Sequence, residues 1–168
     1  EFARHVGTDE VTPAMFQPVS IGELRLKNRV VVSPMDMYSA TDGLANEFHL
    51  VHLGSKALGG AGLVMTEMAC VSPEGRITPG CTGLWDDRQR DAYAQITNFV
   101  HTHSSAKIGL QLGHSGRKGS TKLMWEGIDE PLDSGNWDVL GPSALPYGEG
   151  CHVPVEATHA DLDKVRTD

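Results

Sequence analysis

Three short apolar runs separated by helical patterns constrain the fold of this chain more than any other feature of its sequence. The runs span residues 29–35, 62–68 and 107–114 and contain many aliphatic and β-branched residues. None of them alternates cleanly between polar and apolar residues, which is typical of strands buried on both faces of a parallel sheet. The order strand, helix, strand, helix, strand therefore predicts an α/β fold.

The segments between the runs carry signals for helix starts. Asn46 is the expected N-cap of the first helix. The residues at helical spacing in that helix are Phe48, Val51, Ser55 and Leu58. Asp86 or Asp87 begins a longer helix, and Thr158 with Asp161 forms a capping-box pattern that predicts a third. The face of the longer helix consists of Ala92, Ile96, Phe99 and Val100.

Composition argues against several classes of function. The net charge is −8 and no run of Lys or Arg occurs, which argues against a nucleic-acid surface. No window approaches the ~20 apolar residues of a membrane helix. The cysteines form no C-x-x-C pair and the histidines form no H-E-x-x-H motif, so we expect neither a disulfide framework nor a metal site. Reduced thiols indicate a cytoplasmic protein.

Two segments fall outside the alternating pattern. Residues 1–14 are polar and are interpreted as a linker or leader before a domain that covers 15–168. Residues 116–156 are rich in Gly, Pro, Asp and Ser and form a long excursion after the third run. Three aromatic residues in the excursion favour an ordered lid or partner surface over disorder: Trp125, Trp137 and Tyr147.

Each apolar run ends in residues that a plain core would not use. They are Ser33, Pro34, Met35 and Asp36 with Tyr38 beyond, then Thr66, Glu67 and Met68, and then Gln111 and His114. In an α/β barrel the carboxyl ends of the strands converge on one face, where active sites form. The run ends therefore predict a cluster of an acid, a phenol, an amide and an imidazole.

Some of these residues also have a structural interpretation. Tyr38 would cover the rim of a barrel. Glu67 would be an ion-pair partner of Arg29 or Arg117. Gln111, as a buried amide, needs partners for both its donor and its acceptor, and either the ring edge of a bound ligand or a neighbouring backbone would supply them.

Five segments resemble the old yellow enzyme family of NADH:flavin oxidoreductases, in the order and spacing of that family. They are L-K-N-R-V-V-V-S-P-M-D-M-Y-S-A, F-H-L-V-H-L-G-S-K-A, G-G-A-G-L-V-M-T-E, V-S-P-E-G-R-I and K-I-G-L-Q-L-G-H-S-G-R-K, and they cover most of residues 16–118. The resemblance implies that the chain is the N-terminal part, about three βα units, of a (β/α)8 TIM barrel, truncated before closure. It also implies non-covalent FMN over the strand ends.

The resemblance assigns roles to individual residues. The residues implied to contact FMN are Ser33, Pro34, Met35, Asp36, Met68 and Gln111. Tyr38 would face the substrate, and His52 and Lys118 would also line the active site. Tyr38 and Asp36 are the candidate catalytic residues.

Asp36 departs from the family pattern, which commonly has Cys at this position near flavin N5. An ionised carboxylate there disfavours an anionic reduced flavin, whereas a protonated carboxyl donates a hydrogen bond. The His-x-x-His or His-x-x-Asn donor pair of the family and its phosphate-binding strands have no counterpart in this sequence.

The reaction implied by the resemblance is hydride transfer in two halves, in which NADH or NADPH reduces FMN and FMN reduces an electron-poor alkene.

The excursion resembles the reductase half of bifunctional aryl-CoA monooxygenase/reductases of aromatic degradation, which carry FAD in a preceding domain. The substrate would then be an acyl-CoA. The alternatives are a stand-alone ene-reductase acting on a small molecule and a flavin-free structural fragment. We further expect a homo-oligomer at full length and little activity from this portion alone.

Overall fold

A parallel sheet of three strands forms the centre of the computed structural model, which describes residues 12–168. The elements are β1 (Val19–Ile21), β2 (Leu24–Leu26), β3 (Val31–Val32), α1 (Glu47–Leu58), β4 (Leu63–Cys70), α2 (Asp87–His103), β5 (Lys107–Gly113), β6 (Leu140–Gly141), β7 (Val155–Glu156) and α3 (His159–Thr167). β4 lies between β3 and β5 and is parallel to both. The predicted α/β fold with a parallel sheet is confirmed. Most of the predicted linker, residues 1–11, lies outside the described residues.

The core lies where α1 and α2 pack on β4. Its buried members include Leu53, Ala57, Val64, Ala69, Tyr93, Ile96 and Val100. Gly54 lets the two helices approach closely, since a Cβ there would lie 2.8 Å from the Phe99 ring. This contact determines which face of α1 is buried. The predicted stripe of α1 is therefore not its buried face: Phe48, Val51 and Leu58 are 51%, 69% and 56% exposed.

The predicted helix starts are correct, and side chains satisfy their free amides. Asn46 caps α1, Asp86 rather than Asp87 caps α2, and Thr158 caps α3. In α1 the capping box is completed by His49, whose Nδ1 accepts from the Asn46 amide at 3.1 Å. A histidine of α1 is thereby fixed at the end of the helix nearest the loop after β3.

Two of the predicted strands differ from the structure. The sequence predicts a first strand over residues 29–35, whereas only Val31–Val32 pairs with β4. Pro34 has no amide to donate to a ladder, and the chain beyond it leaves the sheet. The third strand lies where it is predicted, but no β5 residue is buried. β5 is an edge strand, and no further strand pairs with its free edge within residues 12–168.

The remaining elements surround this sheet. β1 and β2 form an antiparallel hairpin, which the sequence analysis did not predict, around Gly22 at a φ of 57°. The 116–156 excursion is mostly irregular, but it contains a 3₁₀ turn at Gly116–Lys118 and the short β6–β7 pair. It is held to the body by Arg76, whose guanidinium lies 5.7 Å from the Trp85 ring centroid and 5.1 Å from that of Trp137.

No helix in residues 12–168 is long and apolar enough to span a bilayer. Over the same residues, no three His, Cys, Asp or Glu side chains converge in an arrangement that would hold a metal ion.

Candidate functional site

A β-bulge near the end of β4 shapes the candidate site. Met65 pairs with Gly109 and Met68 with Gln111, so β4 has one residue more than β5 in this interval. Thr66 Oγ1 accepts a hydrogen bond from the backbone amide of Gln111 at 3.3 Å. The bulge lets consecutive polar residues, Thr66 and Glu67, both be buried.

Two methionines of β4 lean over glycines of β5. A Cβ on Gly109 would lie 2.6 Å from Met65 Sδ, and one on Gly113 would lie 2.5 Å from Met68 Sδ. Any larger residue at either glycine would displace the methionine. Met68, a predicted cofactor contact, is therefore half-buried with its position fixed by β5.

The loop after β3 is joined to the end of β4 by a reciprocal pair of hydrogen bonds. Asp36 Oδ1 accepts from the Met68 amide at 3.2 Å. Glu67 Oε2 accepts from the Met37 amide at 3.4 Å. Asp36 thus accepts from the residue after Glu67, and Glu67 accepts from the residue after Asp36. This arrangement holds the two carboxyl groups close together. The structure brings Asp36 and Met68 into one site.

The side chain of Glu67 contacts His49, which was not a candidate site residue in the sequence. His49 Nε2 lies 2.9 Å from Glu67 Oε1, and the two side chains are 3% and 4% exposed. Nε2 has no hydrogen-bond partner among the described residues, so the contact with Glu67 is close and polar but lacks hydrogen-bond geometry. The sequence analysis expected Arg29 or Arg117 to pair with Glu67; those partners are wrong, because the structure places His49 against this carboxyl. The sequence signal for His49 is its place three residues after the cap Asn46.

The environment of Asp36 shifts the pKa of its carboxyl upwards. Burial raises the pKa of its carboxyl, and the nearby charge of Glu67 raises it further. The Met68 amide and Lys118 lower that pKa, but they do not outweigh the first two causes. Asp36 is half-buried, so a proton on it can still reach a ligand.

The strand end at Ser33, Pro34 and Met35 offers free backbone groups. Within residues 12–168 the amides and carbonyls of Ser33 and Met35 have no hydrogen-bond partner. Met35 is 43% exposed. A run of free donors and acceptors beside an exposed apolar side chain suits a flat heteroaromatic ring, which needs both kinds of contact.

Gln111 lies opposite Met68 on β5, but it is not the buried amide that the sequence predicts. Its side chain is exposed and makes no hydrogen bond to any of residues 12–168. The apolar neighbours in sequence were misleading because Leu110 and Leu112 are themselves exposed on this edge strand. The side-chain amide of Gln111 is consequently free to bind a ligand.

Tyr38 and Lys118 lie at a small cleft of about 70 Å³ between the loop after β3 and the excursion. Lys118 Nζ lies 3.4 Å from Asp129 Oδ1 and 5.3 Å from the Tyr147 ring centroid. Burial, and then the charge of Asp36, raise the pKa of Tyr38 to about 12, so its hydroxyl remains a donor. Tyr38 has a φ of 49°, and such strain in a residue other than glycine is often found at functional sites.

His52 and His114 stand at the margins of the site. His52 is half-buried on α1, where burial lowers the pKa of its imidazole. His114 Nδ1 accepts from the Gly116 amide at 3.0 Å, while its buried Nε2 has no partner among the described residues. His114 thereby stabilises the turn after β5.

Comparisons with known proteins identify the family of this chain. The family described as NADH:flavin oxidoreductase / NADH oxidase matches residues 14–141. The curated protein NADH:flavin oxidoreductase FG08077 of Gibberella zeae is 38% identical over 159 residues, which are 92% of this chain and 38% of that protein. The chain thus spans well under half of this curated relative.

Solved structures show the same fold. Morphinone reductase superposes with a TM-score of 0.74 at 24% identity over 94% of this chain and 43% of its own. The old yellow enzyme from Pichia sp. AKU4542 superposes with a TM-score of 0.75 at 24% identity over 92% of this chain and 40% of its own. Together with the match over residues 14–141, these findings show that the chain belongs to the NADH:flavin oxidoreductase family, which includes the old yellow enzymes.

Proposed function

We propose that the whole protein is an FMN-dependent oxidoreductase that transfers hydride from NADH or NADPH to an electron-poor alkene. The observation that carries the proposal is the convergence of three strand ends on one exposed, partly unsatisfied edge of the sheet. Ser33 and Met35 present free backbone groups, Asp36 presents a carboxyl, and Gln111 presents a free amide. The family match supports the choice of flavin over other flat ligands.

The residues present fit FMN. The edge of an isoalloxazine ring alternates donors and acceptors, and the free groups of Met35 and Gln111 offer both. The exposed side chain of Met35 and the half-buried side chain of Met68 supply apolar cover for a ring face. These residues, with Ser33, Pro34 and Asp36, would hold the ring, and FMN when bound supplies the hydride chemistry.

The residues of this chain would orient the reactants and control protons. Tyr38, held as a neutral phenol, would donate a hydrogen bond to the substrate. Lys118 lies beside Tyr38 at the cleft and would act on a negatively polarised group, while His52 would line the site from α1. Positioned donors of this kind stabilise charge that develops on a substrate carbonyl.

The three βα units are proposed to be the first part of a (β/α)8 barrel. The matches to solved structures include nearly all of this chain but less than half of each solved chain, which supports this interpretation. The open edge of β5 offers a place for a fourth strand. The oxyanion donors and phosphate contacts would then come from residues outside 12–168.

A finer proposal concerns the substrate. We propose that the chain is the reductase half of a bifunctional aryl-CoA enzyme, on the basis of the resemblance of its 116–156 excursion. A stand-alone ene-reductase acting on small enones is the alternative, and the family match is consistent with it. NADH consumption with 2-cyclohexenone and with a dearomatised aryl-CoA, measured side by side, separates the two.

The experiment for the main proposal is spectroscopic. The protein purified with the whole of its natural chain should absorb near ~450 nm from bound flavin, and NADH should bleach that band without oxygen. Adding an electron-poor alkene should restore it. A folded protein that neither carries nor rebinds FMN would contradict the proposal and leave the flavin-free structural role.

A further inference from the structure

We propose that Glu67, held by His49, is a positioning residue that fixes the Asp36 carboxyl and makes it a hydrogen-bond donor to the ligand at the strand ends. This inference rests on the proposed function, because it concerns the same site. Its first support is the reciprocal bonding in which Asp36 accepts from Met68 and Glu67 accepts from Met37. If the Asp36 carboxyl moved, it would release the Met68 amide of β4. If the Glu67 carboxyl moved, it would release the Met37 amide in the loop after β3.

The free oxygen of Asp36 is the second support. Oδ1 is occupied by the Met68 amide, whereas Oδ2 has no partner among residues 12–168. A protonated carboxyl has one O–H donor and keeps acceptor capacity on its other oxygen. The proton therefore belongs on Oδ2, while Oδ1 continues to accept from Met68. A carboxylate, in contrast, would present only acceptors to the ligand.

The groups facing Asp36 decide whether it holds that proton. On β4 they are Glu67 and Cys70; elsewhere they are Tyr38, Cys81 and Lys118. Lys118 is the only cation among them, and it is already paired with Asp129 at 3.4 Å. Burial and then the nearby carboxyl of Glu67 disfavour a negative charge on Asp36 and raise its pKa.

His49 holds the Glu67 carboxyl in place beside Asp36. Its Nδ1 is occupied by the capping interaction with Asn46, and its Nε2 lies 2.9 Å from Glu67 Oε1. Asn46 Nδ2 also donates to the Ser39 carbonyl at 2.7 Å, so the helix cap and the loop after β3 are connected. The buried Glu67 carboxyl is therefore fixed from the helix side, next to the half-buried Asp36 carboxyl.

The test is a titration of Asp36 by NMR in protein labelled with ¹³C at the Asp carboxyl carbons, using the whole natural chain. Asp36→Asn identifies the signal. Glu67→Gln keeps the side-chain shape but removes the charge, so the Asp36 midpoint should fall by about one pH unit. Glu47→Gln removes an exposed charge from α1 and should leave the midpoint unchanged. An equal midpoint in Glu67→Gln and wild type would overturn the inference.

A second variant covers the case in which Glu67→Gln does not fold. His49→Gln frees the Glu67 carboxyl from the contact that holds it beside Asp36, so the Asp36 midpoint should fall, as in Glu67→Gln; an unchanged or raised midpoint would contradict the proposal. Saturation with FMN should also move the Asp36 signal at neutral pH, and an unmoved signal in a flavin-loaded protein would overturn the donor role. If FMN does not bind, the proposed function fails, but the titration without FMN still decides whether Glu67 controls Asp36.

Discussion

The ends of β4 and β5 both contribute candidate flavin contacts, but they are built in different ways. At β4, Glu67 is buried and bonded, and Met68 is fixed by the Asp36 carboxyl through its amide and by Gly113 through its side chain. At β5, Gln111 is exposed and its side chain has no partner within the described residues. The comparison teaches that one side of the site is preformed by this chain, whereas the other side depends on what binds there.

Removing His49 should break the preformed side and have the largest effect. His49→Ala removes a buried side chain, leaves the buried Glu67 carboxyl without its imidazole neighbour and removes half of the α1 capping box. The free energy of unfolding should fall by roughly 3–5 kcal/mol, measured by urea denaturation. His101→Ala, at an exposed position on α2, is the matched control and should cost less than about 0.5 kcal/mol. Equal effects of the two variants would show that the His49–Glu67 contact does not stabilise the fold.

Adding a methyl group at Gly113 should disturb the contact between the two strand ends. The new Cβ would lie 2.5 Å from Met68 Sδ, so Gly113→Ala should cost about 1–3 kcal/mol of unfolding free energy. Met68→Ala in the same chain should recover part of that loss, since it removes the clashing atom. Additive costs in the double variant, measured by the same denaturation, would mean that Met68 does not fill this space.

Truncating Gln111 should affect ligand binding and leave the fold intact. Gln111→Ala should weaken FMN binding by about 1–3 kcal/mol, or roughly 5- to 150-fold in Kd, because a flavin group loses its partner. The free energy of unfolding should stay within about 0.5 kcal/mol of wild type, since this side chain is exposed. Fluorescence titration with FMN measures the first effect. Gln95→Ala on the exposed surface of α2 is the control, and an equal Kd in both variants would remove Gln111 from the site.

Asp36 should make the stability depend weakly on pH. Its folded-state pKa is raised above the ordinary value of 3.8, so the native state binds the proton more tightly than the unfolded state. Its contribution is present at pH values below 3.8 and is lost as pH rises through the raised folded-state pKa. Asp36→Asn should flatten the pH profile of unfolding free energy in that window. An Asp36→Asn profile that is parallel to wild type would contradict the raised pKa.

The sequence predicted the architecture well, because helix caps and apolar runs act locally. Asn46, Asp86 and Thr158 all cap helices as expected. Burial was predicted less well, since it depends on partners that are distant in the chain. Gln111 was expected to be buried because its neighbours are apolar, but β5 is an edge strand.

The geometry of the candidate site was only partly accessible from the sequence. Asp36 and Met68 could be assigned from the resemblance, and the structure brings them together. Their contact depends on the bulge at Thr66 and Glu67, which no local sequence pattern predicts. His49 was missed as a site residue because its role needs both the cap at Asn46 and a strand that follows later in the chain.

Hydrogen–deuterium exchange with and without FMN tests the central claim most directly. We predict that FMN protects the free amides of Ser33 and Met35 and the segment from Gln111 to His114 from exchange. We predict that the segment from Thr66 to Cys70 is already strongly protected without FMN and changes little. Protection that does not change anywhere at saturating FMN, in a protein that remains folded, would contradict the claim that these strand ends hold the flavin.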